Sequence, residues 1–142
     1  MKEDIDIDIT VPSHTRYLRM IGRIGEKVAQ EIDCAERIRE TLPDQIAIVL
    51  TEGLVNAIKH AKCAEPDNEI HIRINVSNRQ LVVRIYDNGV GFDLDSVPDP
   101  NFTSTCIEEQ GRGIYILRSL MDTVKYTRTG GGNVLEMKKK LG

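Results

Sequence analysis

The stretch DQIAIVLTEGLVNAIKHA, Asp44 to Ala61, decides how the rest of the sequence is read. Ile46, Val49, Leu50, Ala57, Ile58 and Ala61 recur at helical spacing without a proline or turn pair between them, which predicts one mostly buried helix. Thr41-Leu42-Pro43-Asp44 supplies its start: a capping hydroxyl, a proline in the first turn, and an acid three residues after the cap, near the positive end of the helix dipole. Glu52, Asn56 and His60 follow one another at four-residue spacing and therefore share one face. A carboxylate, an amide and an imidazole in line on an apolar helix have two readings. They form a solvated stripe or internal hydrogen-bonded network, or they carry chemistry.

Working outward, the chain before this helix begins with Ile5, Ile7, Ile9 and Val11 alternating with Asp4, Asp6, Asp8 and Thr10, the period of a half-buried strand that Pro12 ends. Ser13 is the expected cap of a helix with an apolar stripe of Tyr17, Leu18, Ile21, Ile24, Val28 and Ile32, in which Gly22 and Gly25 are slight weaknesses. A short polar helical stretch, 33–40, precedes the central helix. After a turn over 62–68, Ile70, Ile72, Ile74 and Val76 form a second strand, Asn78-Arg79 a tight connection, and Leu81, Val83 and Ile85 a third strand. That strand runs into Asp87-Asn88-Gly89-Val90-Gly91. Residues 93–110 show little periodicity and are expected to be a long functional loop. Gly111-Arg112-Gly113 then opens a helix over 114–121, and strands over 123–128 and 133–139 close the chain around the glycines at 130–132.

Strands grouped with strands and helices with helices predict an α+β fold, a two-layer α/β sandwich with a mixed, mostly antiparallel sheet and its helices on one face. Arg73, Asn75, Arg84 and Lys125 mark the other face as wet. With 142 residues, 40% hydrophobic and 29% charged, the expectation is one domain spanning 1–142. The amino terminus has no continuous apolar run and no stretch reaches membrane-span length, so a cytoplasmic protein without membrane contact is expected. Cys34, Cys63 and Cys106 lack metal or disulfide spacing, and a formal charge of −3 argues against direct nucleic-acid binding.

Three separated pieces bear on function. Asp87, at the end of an apolar strand, can accept hydrogen bonds from an exocyclic amino group, and Gly89 and Gly91 let the backbone pass close to a planar ring; taken alone, a strand ending in Asp-Asn-Gly is more often a plain turn. Gly111, Arg112 and Gly113 before a helix offer backbone amides to a phosphate, or simply make a turn. In the central helix, the Asn56 amide oxygen can ligate a hard cation and the Glu52 carboxylate can take a proton from an attacking hydroxyl. Their order and spacing together are more specific than any one of them.

EGLVNAIKHA, DNGVGF and GRGIYILRSLMD, taken together, resemble the three ATP-binding boxes of the GHKL superfamily, and the chain looks most like the small anti-sigma-factor serine kinases of bacterial switches. The opening IDITVPSHTRYLRMIGRIGEKVAQ and the ending MDTVKY with GGGNVLEMKKKL share that likeness. The resemblance implies a Bergerat-type ATP fold with ATP and Mg²⁺ as cofactors: Asn56 holding the metal, Glu52 as general base, Asp87 reading adenine, and Gly89, Gly91, Gly111, Arg112 and Gly113 shaping the pocket and its lid. Where the family commonly has a threonine near adenine, this chain has Asn133. Within the lid, Thr103, Ser104 and Thr105 would approach the phosphates. The implied activity is phosphorylation of an anti-anti-sigma antagonist by a protein serine/threonine kinase that also binds a sigma factor, working as a homodimer. A histidine kinase would need a phosphorylatable helical hairpin ahead of the ATP domain, and the larger relatives carry further domains, so a stand-alone kinase fits best. Two other readings stay open: a nucleotide-gated binding module without significant transfer, and an ATP-binding domain serving an unrelated signalling protein.

Overall fold

The alternating isoleucines build strands, and the helices that follow them cover a single face. A computed structural model describes residues 4–61, 68–88, 109–129 and 132–142; of residues 60, 61, 109–111 and 129 only the backbone is described. The elements run β1 (Ile5–Pro12), a 3-10 turn (Thr15–Tyr17), α1 (Leu18–Glu31), α2 (Glu36–Arg39), α3 (Leu42–Ala61), β2 (Glu69–Ser77), β3 (Gln80–Asp87), α4 (Glu109–Leu120), β4 (Thr123–Thr129) and β5 (Gly132–Lys140). The five strands form one sheet in the order β1-β2-β3-β5-β4. Each described pairing is antiparallel.

Period-two alternation sends Ile70, Ile72, Ile74, Leu81, Val83, Ile85, Leu135 and Met137 to the inner face, where all are buried. α3 lies on that face. Gly53 is what lets it come close: a Cβ there would collide with Ile85 and stand 3.5 Å from Met137. α1 in turn lies against α3 through Gly22 and Gly25, which face Thr51 and Leu50. The two α1 glycines that read as weaknesses in the sequence are therefore the residues that let two helices approach. On the outer face, cross-strand register lines up Asp8, Arg73, Arg84, Glu136 and Lys125. Arg73 Nη2 meets Asp6 Oδ2 at 2.9 Å, and Arg84 Nε meets Glu136 Oε2 at 2.8 Å. Burial pulls the Glu136 carboxyl upward, but the hydrogen bond and charge of Arg84 outweigh it and leave the group below its ordinary range.

Several local expectations change. The residue that caps the turn before α1 is His14, whose Nδ1 accepts from the Arg16 amide at 2.9 Å, and not Ser13. Thr41 stands just before α3 and its carbonyl accepts from Gln45, but its hydroxyl turns back toward the Ile38 carbonyl at 3.4 Å. The polar helix is shorter than 33–40, covering only Glu36–Arg39. Asn78 and Arg79 both have positive φ, 50° and 58°, the geometry of a two-residue type I′ hairpin turn. α4 begins at Glu109, so Gly111-Arg112-Gly113 lie inside the helix, and residues 109 and 110 are helical where a loop over 93–110 was expected; the rest of that stretch lies outside the described residues. Glycine costs only about 1 kcal/mol in a helix interior, and burial of Ile114 and Leu117 outweighs that. Lys139 Nζ closes the far end of α4 by donating to the Leu120 carbonyl at 2.8 Å.

The α1–α3 contact gives a direct test. Beside a Cβ at Gly25, Leu50 would collide and Ile46 would stand 3.1 Å away, both of them fully buried. Gly25→Ala should gain about 1 kcal/mol of helix propensity and lose a similar amount to crowding, whereas Gly25→Val should destabilise by about 2–3 kcal/mol. Chemical denaturation of the three proteins measures both; a valine variant as stable as wild type would contradict the packing described.

Candidate functional site

Among the described residues, the buried polar or charged side chains are Asn56, Asp87 and Asn133, with 7%, 4% and 6% of their surface exposed. The rest of the core is apolar. Three polar groups withdrawn from water cost free energy unless each is hydrogen-bonded. Here the Asn133 Nδ2 donates to Asp87 Oδ1 at 3.0 Å. The two residues stand directly opposite in the β3–β5 ladder, so this bond follows from strand register alone.

Asp87 reaches the interior by the parity of β3: Leu81, Val83, Ile85 and Asp87 share the inner face, and the aspartate is the last of them. Next to it, Gly132 opens β5 with φ +146°. A Cβ at Gly132 would stand 2.5 Å from the Asp87 carbonyl oxygen and 2.9 Å from Asn88 Oδ1, so any other residue there is excluded by both space and backbone conformation. Gly132 and Gly53 are the residues that reading the sequence did not single out. The signal for Gly53 was present in the sequence: a glycine in the middle of an apolar helix has a packing reason more often than not.

Asn56 and Glu52 come from α3, on either side of Gly53. The Gly53–Ile85 contact packs the segment of α3 that carries Glu52 and Asn56 against β3, two residues before Asp87. Glu52 is half-buried. α4 approaches it from the side: a Cβ at Gly113 would stand 3.2 Å from Glu52 Oε2. Arg112, the next residue back, is exposed. Gly111 lies in the first turn of α4, where backbone N–H groups lack helical partners, and Gly113 lies beyond that turn. Gly89, Gly91 and the hydroxyls Thr103, Ser104 and Thr105 are outside the described residues, and of His60 only the backbone is described.

The donor set fits a magnesium nucleotide. Among the described residues no cluster of three His, Cys, Asp or Glu side chains could hold a metal by itself. Mg²⁺ is commonly held by one or two protein oxygens together with substrate phosphates, which matches the single Asn56 amide. A buried carboxylate at the last residue of β3 matches an amino-bearing heterocycle. Also among the described residues, no helix is long and apolar enough to cross a membrane.

Comparison with known proteins agrees with this geometry. The model of the histidine kinase-like ATPase domain matches residues 11–139. The serine-protein kinase RsbW of Bacillus subtilis is 29% identical over 141 residues, covering 94% of this chain and 86% of that protein. RsbW of Listeria monocytogenes is 30% identical over 101 residues, 67% of this chain and 64% of that one. Among solved structures, the RsbU and RsbW domains of a Mycobacterium tuberculosis protein superpose with a TM-score of 0.64 at 13% identity, over 96% of this chain and 32% of that one. The histidine kinase domain of a blue-light activated kinase from Erythrobacter litoralis gives 0.57 at 22%, over 92% and 62%. The α+β sandwich and a family match across nine-tenths of the sequence lead to one conclusion: this chain belongs to the histidine kinase-like ATPase family.

Proposed function

We propose that this chain is an ATP-dependent protein serine/threonine kinase that acts as a regulator of a sigma factor, binding the sigma factor and phosphorylating an anti-anti-sigma antagonist. The observation that carries the nucleotide part is the burial of Asn56, Asp87 and Asn133 in a core that is otherwise apolar among the described residues. The likeness to RsbW serine-protein kinases over most of both chains supports the transfer reaction.

In this reading Asn56 holds Mg²⁺ with the nucleotide phosphates, and Asp87 accepts from the amino group of adenine. Gly89 and Gly91, together with Gly111, Arg112 and Gly113, shape the pocket and its lid. The Glu52 carboxylate accepts the proton of the antagonist's serine or threonine hydroxyl as that oxygen attacks the terminal phosphoryl group. ATP bound with its metal would supply that phosphoryl group, ADP leaving as the bond between the terminal phosphorus and the bridging oxygen breaks. Glu52 is what favours a kinase over a nucleotide-gated binding module, because binding needs the metal and base contacts but no proton acceptor. Gly113 supports this role by leaving the Glu52 oxygen uncrowded.

Assembly as a homodimer accompanies the proposal. β1 is an edge strand whose Ile5, Ile7 and Ile9 are only partly buried, and α1 leaves Met20 45% exposed. Light scattering at micromolar concentration is expected to give twice the monomer mass, and a monomer with and without ATP would refute the pairing.

Two further outcomes are expected. Calorimetry should show ATP and ADP binding with Mg²⁺ and GTP excluded, because the guanine edge opposite Asp87 presents an acceptor; equal GTP binding would remove Asp87 from the base-reading role. For Glu52→Gln, ATP affinity should stay within about threefold and the melting temperature should hold, while single-turnover phosphorylation of a cognate antagonist falls by about 10² to 10⁴. Retained transfer would leave the binding module as the better description. Joint loss of affinity and stability would make Glu52 a structural residue.

A further inference from the structure

We infer that the outward stripe of α3, Asp44, Ile48 and Glu52, reads the protein substrate as an extended segment: its serine or threonine at Glu52, an aliphatic side chain two residues away on Ile48, and a lysine or arginine four residues away at Asp44. The inference rests on the kinase reading above and adds to it the chemistry of the segment that is phosphorylated. Between Leu42 and Lys59, α3 exposes only Asp44 and Ile48. Ile48 leaves 44% of its surface in water. A single exposed isoleucine is ordinary, and an acid in the first turn of a helix complements its dipole. What sets these two apart is their line, because four-residue steps place Asp44, Ile48 and Glu52 along one face of the helix. Glu52 ends that line half-buried, and Gly113 of α4 keeps its Oε2 clear, since any side chain at 113 would begin 3.2 Å from it.

The spacing fits an extended chain. Four residues of helix advance about 6 Å and two residues of strand about 6.7 Å, so an extended segment laid along α3 keeps step with it over both intervals. Side chains two apart in such a segment share one face, which turns three of them toward the helix. With the acceptor hydroxyl at Glu52, the next side chain on that face covers Ile48 and the one after reaches Asp44. Both contacts therefore fall on the same side of the acceptor. Asp44 makes no ion pair among the described residues, so its charge is open to a cation of the substrate. An aliphatic contact at the surface and an exposed ion pair are each weak, which suits a segment that must leave after transfer.

The test is a peptide library with one fixed serine or threonine and one further position fixed at a time, phosphorylated with γ-labelled ATP by wild type, Ile48→Glu and Asp44→Lys. ATP affinities and melting temperatures are measured alongside. Wild type should favour an aliphatic residue two positions from the acceptor and lysine or arginine four positions away on the same side, each by about 3- to 10-fold in kcat/KM. Ile48→Glu should turn the nearer preference from aliphatic to basic, and Asp44→Lys should turn the farther one from basic to acidic. A residue with a merely structural role would not exchange one preference for another. Both side chains lie in solvent, so melting temperatures should hold, and ATP affinity should stay within about threefold. A wild type without positional preference overturns the inference, as do variants that keep the wild-type pattern. Transfer to a whole antagonist protein but to no peptide also removes the inference and leaves the kinase reading standing. A wild type that binds no ATP, or binds it and transfers to nothing, removes the kinase reading itself and the role of the stripe with it.

Discussion

Everything in this fold depends on how closely α3 is held between α1 and the sheet. Gly25 faces Leu50 on one side, and on the other Gly53 faces Ile85. Both contacts replace a side chain with backbone, so the helix sits closer to each neighbour than ordinary packing allows. The cost is the weak helix propensity of glycine in both helices, roughly 1 kcal/mol each. What offsets it is burial: Ile46, Leu50 and Leu54 are fully enclosed, as are Ile72, Ile85 and Met137 below them. A helix fixed from two sides can present side chains at defined positions.

That rigidity matters because, among the described residues, the polar groups of the site interrupt an apolar core. Asn56, Asp87 and Asn133 are withdrawn from water where apolar residues would be cheaper, and a buried polar network stabilises only if its members are satisfied. The charged outer face, by contrast, is a ladder of exposed ion pairs such as Arg73 with Asp6, each contributing little. Stability comes from the inner face; the outer one keeps the sheet solvated. Burial therefore points to the Asp87–Asn133 pair, at the end of β3 and the start of β5, more clearly than charge does.

The strands were legible from the sequence because one buried face imposes period-two alternation, as in Ile70, Ile72 and Ile74. α3 was legible from its apolar spacing, and the three polar residues that proved buried had all been picked out from sequence and family resemblance. Where the reading departs from the structure, local chemistry was taken as decisive and tertiary contacts overruled it. Ser13 was favoured as a cap by residue type, but the chain turns so that the His14 ring meets the Arg16 amide. Gly111 and Gly113 looked like a break before a helix, yet α4 runs through them because Ile114 and Leu117 anchor it in the core. Strand order and the Asp87–Asn133 bond were out of reach for a different reason. The bond joins residues 46 positions apart, and although the tight turn at Asn78-Arg79 marks β2 and β3 as neighbours, no local pattern encodes that β3 pairs with β5.

The same long-range character ties function to the whole fold. Glu52 and Asn56 ride on α3, Asp87 ends β3, Asn133 begins β5, and Gly113 belongs to α4, so four elements must dock before the candidate site exists. Two of these meet only through register: Asp87 finds Asn133 because β3 and β5 pair antiparallel from Gln80 opposite Lys140 to Asp87 opposite Asn133. A slip of one residue would turn Asp87 to the solvent face and send Tyr86 inward, abolishing the hydrogen bond while keeping the ladder. The alternating apolar residues of β3 forbid that slip, since Leu81, Val83 and Ile85 would leave the core with the same movement. Hydrophobic register in the middle of the sheet is therefore what aims the carboxylate at its end. The geometry of the carboxylate proposed to read the base is inherited from apolar residues elsewhere in the sheet.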